Sequence, residues 1–138
     1  MGAGLRALPK SARKVKAEPK HFLWVTGLRP EKASRYRELH TSPWPGVLRM
    51  LKECHVEKFT IFEKAIESKI YLFAYVEYTG DDFGADMARI ATDPETQRWW
   101  AETDPCQEPL PDAQAQGRIW SETTEIFRLP VSTEKPAE

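Results

Sequence analysis

The chain is poor in the residues that most often announce chemistry: it has two cysteines, three histidines and seven glycines in 138 residues. Cys54 and Cys106 stand alone, with neither the C-x-x-C spacing of a metal or redox site nor the density of a disulfide-stapled secreted domain. They read as reduced thiols in a reducing compartment. His21, His40 and His55 have no regular ligand spacing, so a metal site has little support. The glycines form neither G-x-G-x-x-G nor a P-loop, and no G-x-S-x-G elbow occurs, which leaves nucleotide binding and serine-hydrolase chemistry without footing. No apolar run approaches the roughly 20 residues that span a bilayer, and the N-terminus lacks the apolar core of a secretory signal. Arg6 stands where a myristoylation signal takes Ser or Thr. A cytoplasmic protein without membrane association is expected. The formal net charge of -1 gives no general reason to expect a nucleic-acid partner.

What is present fits one domain with one modest core: the composition is 41% hydrophobic, and the length is too short for two comfortable domains. The charge is unevenly spread. Arg6, Lys10, Arg13, Lys14, Lys16 and Lys20 face only Glu18 in residues 1–20, so the rest of the chain is acidic. With Pro9, Pro19 and no apolar period, this segment has the composition of a disordered basic tail. The folded domain is expected over residues 21–130, with a flexible C-terminal end at 131–138.

Within that domain Phe22 to Thr26 is a short aromatic and β-branched run that reads as a first strand. Pro30 and Glu31 suit the start of a helix running to about His40. Ser42 and Pro43 form a cap-and-start pair for a second helix carrying Val47, Leu48 and Leu51 on one face and ending near Cys54. Val56 to Glu63 and Lys69 to Tyr78 read as an antiparallel hairpin. The two-residue period of the latter puts Ile70, Leu72, Ala74, Val76 and Tyr78 on a core face. Tyr71, Phe73, Tyr75 and Glu77 then share the other face, as a cavity lining or a subunit interface would. Asp81 or Asp82 can cap a helix bearing Phe83, Met87 and Ile90, and Asp93 before Pro94 restarts a helix through Trp99 and Trp100. A proline-marked loop from Asp104 to Pro111 leads to a closing strand, Ile119 to Leu129. The order β-α-β-β-α-β predicts an α+β, ferredoxin-like fold. Its uncovered sheet face would expose Tyr71, Phe73 and Tyr75, so a ligand cavity and a homodimer with facing sheets are both expected.

Two constellations are chemically suggestive. Tyr36 and His40 lie four residues apart on one helix face. Histidine titrates near neutral pH and can give and take a proton, while a phenol can orient a hydroxylated ligand. The same spacing also suits two partly exposed amphipathic residues. Trp99 and Trp100 are adjacent and point about 100° apart, so at most one indole enters the core. Together they make either a stacking surface for the C–H faces of a sugar or an apolar anchor under the loop. Glu77 is either a satisfied structural carboxylate or a polar contact in the cavity.

In order and spacing these pieces resemble the L-rhamnose mutarotase family. Tyr36 and His40 followed by Trp44-Pro45 are similar to that family's Tyr-x-x-x-His and Trp-Pro, and Arg98-Trp99-Trp100 to its Arg-Trp-Trp. Phe73 to Glu77 and Glu125 to Leu129 resemble the strands between and after them, so the likeness runs from about Phe22 to Pro130. The resemblance implies a dimeric α+β barrel that exchanges the anomers of L-rhamnose or a related 6-deoxy aldose without a cofactor. It implies His40 as the catalytic proton donor and Tyr36, Trp99 and Trp100 as sugar-binding residues. Phe59 stands where the family has a binding tyrosine. The ring is kept and the hydroxyl lost, so L-fucose is an alternative sugar. Ferredoxin-like dimers also include cofactor-independent monooxygenases and haem-binding proteins, and a non-catalytic sugar-binding module would use the same pocket.

Overall fold

The computed structural model describes residues 18–130. Strand β1 (Lys20–Leu28) is followed by a 3-10 turn (Pro30–Lys32) and helices α1 (Ala33–Thr41) and α2 (Pro45–Glu53). The hairpin of β2 (Val56–Ile66) and β3 (Lys69–Tyr78) leads to α3 (Phe83–Thr92) and α4 (Pro94–Thr103). A 3-10 turn (Asp104–Cys106), β4 (Gln107–Glu108), α5 (Pro111–Ala115) and β5 (Ser121–Glu122) complete the domain. Lys20 already belongs to β1, so the folded body begins inside the segment expected to be a tail. Residues 1–17 of that segment and the C-terminal end at 131–138 lie outside the described residues.

The strands form one antiparallel sheet in the order β2-β3-β1-β4, with β5 also pairing with β1. This is the expected α+β, ferredoxin-like arrangement, with β4 and β5 sharing the fourth-strand position. The alternation in β3 places Leu72, Ala74, Val76 and Tyr78 in the core at 2% exposure or less, against the helices. Each large apolar side chain so buried is worth about 1.5–3 kcal/mol. Phe22 and Trp24 of β1 share this face, and Phe22 stacks on Phe83 of α3 at 4.6 Å between centroids. A two-residue turn, Glu67-Ser68, closes the hairpin with Glu67 at φ 57°.

Capping divides the second helical region. Asp82 accepts a hydrogen bond from the Ala85 amide, and Asp93 accepts from both the amide and the hydroxyl of Thr96. In the first region the helix starts at Pro45 rather than Pro43. A residue before proline is pushed out of the helical region, and Trp44 is accordingly extended at φ -74°, ψ 130°. A helix begun at Pro43 would therefore break one residue later.

The closing strand is much shorter than Ile119 to Leu129. β4 has already taken the Gly27-Leu28 end of β1, leaving β5 to pair only with Trp24 and Val25. Gly27 makes this possible, since a Cβ there would lie 2.7 Å from the Glu108 carbonyl oxygen. Beyond β5 the Thr123 hydroxyl donates to the Leu23 carbonyl at 2.6 Å. A side chain thus occupies an acceptor that a backbone N–H would need to extend the ladder. Ile126, Phe127 and Leu129 follow with their side chains exposed.

Candidate functional site

A cavity of about 1150 Å³ lies between the helices and the core face of the sheet. Its polar corner is organised by α1. Tyr36 is buried, and its ring lies 4.3 Å from that of His40, centroid to centroid. His40 meets Trp99 edge-on at 5.2 Å, and Trp99 meets Trp44 in the same way at 5.2 Å. The i, i+4 spacing on α1 and the proline-set start of α2 thus bring four rings into one column. Three of them, Tyr36, His40 and Trp99, line the cavity.

The column fixes the histidine tautomer. His40 Nδ1 lies 2.8 Å from the Tyr36 carbonyl oxygen, and a carbonyl only accepts, so Nδ1 carries the hydrogen. Nε2 is then the nitrogen that exchanges a proton with a ligand. The Tyr36 hydroxyl accepts from Gln107 Nε2 at 3.4 Å. Burial pushes the phenol well above its ordinary pKa, and the Cys106 thiol, once ionised, and the Asp104 carboxylate add to the effect. Tyr36 therefore stays a neutral donor across the physiological range.

The two tryptophans of α4 part company as helical geometry requires: Trp99 is 7% exposed and Trp100 39%. Trp100 and Phe59 line the same cavity without joining the ring column. Phe59 is edge-on to Trp24 at 6.4 Å. The five residues singled out in the sequence thus share one cavity, three of them in direct ring contact.

Glu77 does not line this cavity. On the opposite face of the sheet it accepts a 2.6 Å hydrogen bond from Tyr75, whose hydroxyl lies 2.6 Å from His21 Nδ1. That bond raises the Tyr75 phenol to about 12 and lowers the Glu77 carboxyl. The structural alternative for Glu77 is the observed one. The aromatic face of β3 is correspondingly the outer face of the sheet, not the wall of the large cavity.

The model of the L-rhamnose mutarotase family matches residues 21–129. The chain belongs to this family. It is 30% identical over 100 residues to the L-rhamnose mutarotase of Enterococcus faecalis, covering 72% of this chain and 89% of that protein. The corresponding protein of Mesorhizobium japonicum is 27% identical over 94 residues, covering 68% of this chain and 85% of the relative. In fold the chain is similar to the crystal structure of an L-rhamnose mutarotase from Formosa agariphila, with a TM-score of 0.60 and 21% identity, covering 80% of this chain and 99% of that one. The mutarotase-family cavity also contains groups that the sequence motifs did not mark. Arg37 of α1 grips Glu63 of β2 through two hydrogen bonds of 2.9 and 2.7 Å at the cavity wall, which lowers the Glu63 carboxyl. Trp24 forms part of the floor, and Gln107 reaches Tyr36 from a strand of only two residues. Gln107 lies among prolines in the sequence, where no periodic pattern marks an inward-facing side chain.

Proposed function

We propose that this chain is an aldose mutarotase, an isomerase that opens and recloses the ring of L-rhamnose or a related 6-deoxy sugar. The observation that carries the reading is the Tyr36-His40-Trp99 column on the cavity wall, with the histidine tautomer fixed by the Tyr36 carbonyl. Mutarotation needs a proton removed from the anomeric hydroxyl and one delivered to the ring oxygen. His40 is the proton donor through Nε2, and Tyr36 holds a sugar hydroxyl. Trp99 and Trp100 pack on the C–H faces of the ring and on the C6 methyl. No bond to a leaving group is lost and no redox change occurs, so the reaction proceeds without a cofactor.

Phe59 bears on the choice of sugar. Its ring lies against Trp24 and offers no hydroxyl, so a hydroxyl on that side of the substrate meets an apolar wall. L-rhamnose and L-fucose differ in hydroxyl orientation, so an apolar wall at Phe59 would bear differently on the two sugars. Saturation-transfer NMR of anomer exchange over a panel of aldoses tests the reading. Exchange of L-rhamnose or L-fucose is expected to accelerate with protein, and His40→Ala is expected to slow it by about 100-fold or more. An unaltered rate in that variant would remove the role assigned to His40.

The working unit is a homodimer, and the sugar is its small-molecule partner. The outer sheet face carries half-exposed Leu23 and Phe62 with Tyr71, Phe73 and Tyr75 between them, and Ile126, Phe127 and Leu129 are exposed beside β1. Covering this much apolar surface favours a second copy. A monomer in sedimentation at micromolar concentration would refute the dimer. Among the described residues no helix is long and apolar enough to cross a membrane, and the reduced form expected of Cys54 and Cys106 supports a cytoplasmic setting.

A further inference from the structure

We infer that Asp104 is the second proton-transfer group of the cavity, accepting the proton of the anomeric hydroxyl while His40 delivers one to the ring oxygen. The inference rests on the mutarotase reading and completes it, because one histidine supplies only half of the required exchange.

Three carboxylates line the cavity: Glu63, Asp104 and Glu122. Glu63 is held in the two-bond grip of Arg37, and Glu122 lies 3.4 Å from Arg118. The grip on Glu63 stabilises its charged form and makes it a poor base, while Glu122 already has a guanidinium partner of its own. Asp104 is exposed at the cavity wall and makes no side-chain hydrogen bond or ion pair among the described residues, and partial desolvation shifts its carboxyl upward. An unpaired carboxylate on the cavity wall is free to take up a proton from a bound hydroxyl and to return it.

Its position in the fold is equally specific. Asp104 opens the 3-10 turn directly after α4, the helix that carries Trp99 and Trp100. This turn packs against α1, and its Cys106 shares a buried cluster with Tyr36. Thr103 before the turn and Gln107 after it both line the cavity, and Gln107 touches the Tyr36 hydroxyl. The unpaired carboxylate is therefore delivered to the Tyr36 side of the site, where the ring column ends.

The exchange balances in atoms and charge. The anomeric O–H passes its proton to the Asp104 carboxylate, and the oxygen's electron pair forms the C1 carbonyl. The bond from C1 to the ring oxygen breaks, and that oxygen takes the proton from protonated His40 Nε2. The carboxylate and imidazolium become carboxylic acid and imidazole. After rotation about the C1–C2 bond, closure on the other face of the carbonyl reverses each transfer and restores both groups.

Asp104→Asn keeps the size and polarity of the side chain and removes the base. Anomer exchange of the accelerated sugar is expected to fall by about 100-fold or more, with sugar affinity by NMR titration within about threefold of wild type. Asp104→Gly is expected to recover part of the lost rate on addition of formate, which a structural role would not allow. An Asn variant retaining more than half the wild-type rate would overturn the inference. So would a loss of rate matched by a loss of affinity and unrelieved by formate. A wild-type protein that accelerates no aldose would instead defeat the mutarotase reading on which the inference stands.

Discussion

Replacing Tyr36 by Phe separates the chemical role of the phenol from the packing role of its ring. The ring supplies the contact with His40 at 4.3 Å, and Phe keeps it. In the free protein the hydroxyl's only described partner is Gln107 at 3.4 Å, at the long end of hydrogen-bond distances. Losing that bond and leaving the buried Gln107 amide short of a partner costs about 1 kcal/mol. In a domain of this size that lowers Tm by about 4 °C, so the variant folds. With sugar bound, the missing donor leaves a substrate hydroxyl unpaired in a desolvated corner, a cost of about 1–3 kcal/mol. This corresponds to a loss of about 5- to 150-fold in kcat/KM. Saturation-transfer NMR gives the exchange rate and a thermal melt gives the stability. Unchanged kcat/KM in a folded Tyr36→Phe protein would refute the contact between phenol and sugar. A melting point lowered by far more than about 4 °C would show that the hydroxyl serves the core.

Two further outcomes follow from the core. The Tyr78 hydroxyl donates to Asp86 at 2.5 Å, and His55 Nδ1 lies 2.9 Å from the same carboxylate oxygen. These bonds, the Tyr78 bond first, hold the Asp86 carboxyl below its usual value of 3.8. The stabilisation is therefore complete above pH 3.8 and is lost as pH falls through the lowered folded value. Tyr78→Phe is expected to lower stability at pH 7 and to flatten its decline in acid, checked by urea unfolding at pH 7 and pH 3. A decline as steep as that of wild type would assign it to other carboxylates. Thr26 is fully buried, and its hydroxyl has no partner among the described residues. Thr26→Val, which keeps the branched shape, is expected to be neutral or stabilising by about 1 kcal/mol in the same assay. Destabilisation by that amount would mean that the hydroxyl is satisfied.

Legibility in the sequence followed the range of the interactions. The two-residue period of β3, the caps at Asp82 and Asp93 and the divergence of Trp99 from Trp100 are set by neighbours along the chain, so the residues display them. Tyr36 and His40 could be placed on one helix face for the same reason, although their contact with Trp99 depends on how α1 and α4 meet. The fourth-strand position was misread because its form is decided across the sheet. β4 is two residues long and depends on Gly27 having no side chain, and β5 ends where Thr123 takes a β1 carbonyl. Asp104 and Gln107 were hidden inside a proline-marked loop. Their approach to Tyr36 comes from tertiary packing that no local pattern encodes.

The divided fourth strand has a consequence for how copies of the chain meet. A sheet edge with free backbone groups invites another strand, and uncontrolled growth by that route ends in aggregation. On the β1 side, β4 and β5 break the edge into pieces too short to template a long neighbour. On the other side β2 carries a bulge between Val56 and Lys58 and presents Lys58 and Lys64, charges that resist strand addition. With both margins guarded, the proposed dimer would form through the flat of the sheet, where contact is finite and closes after two copies.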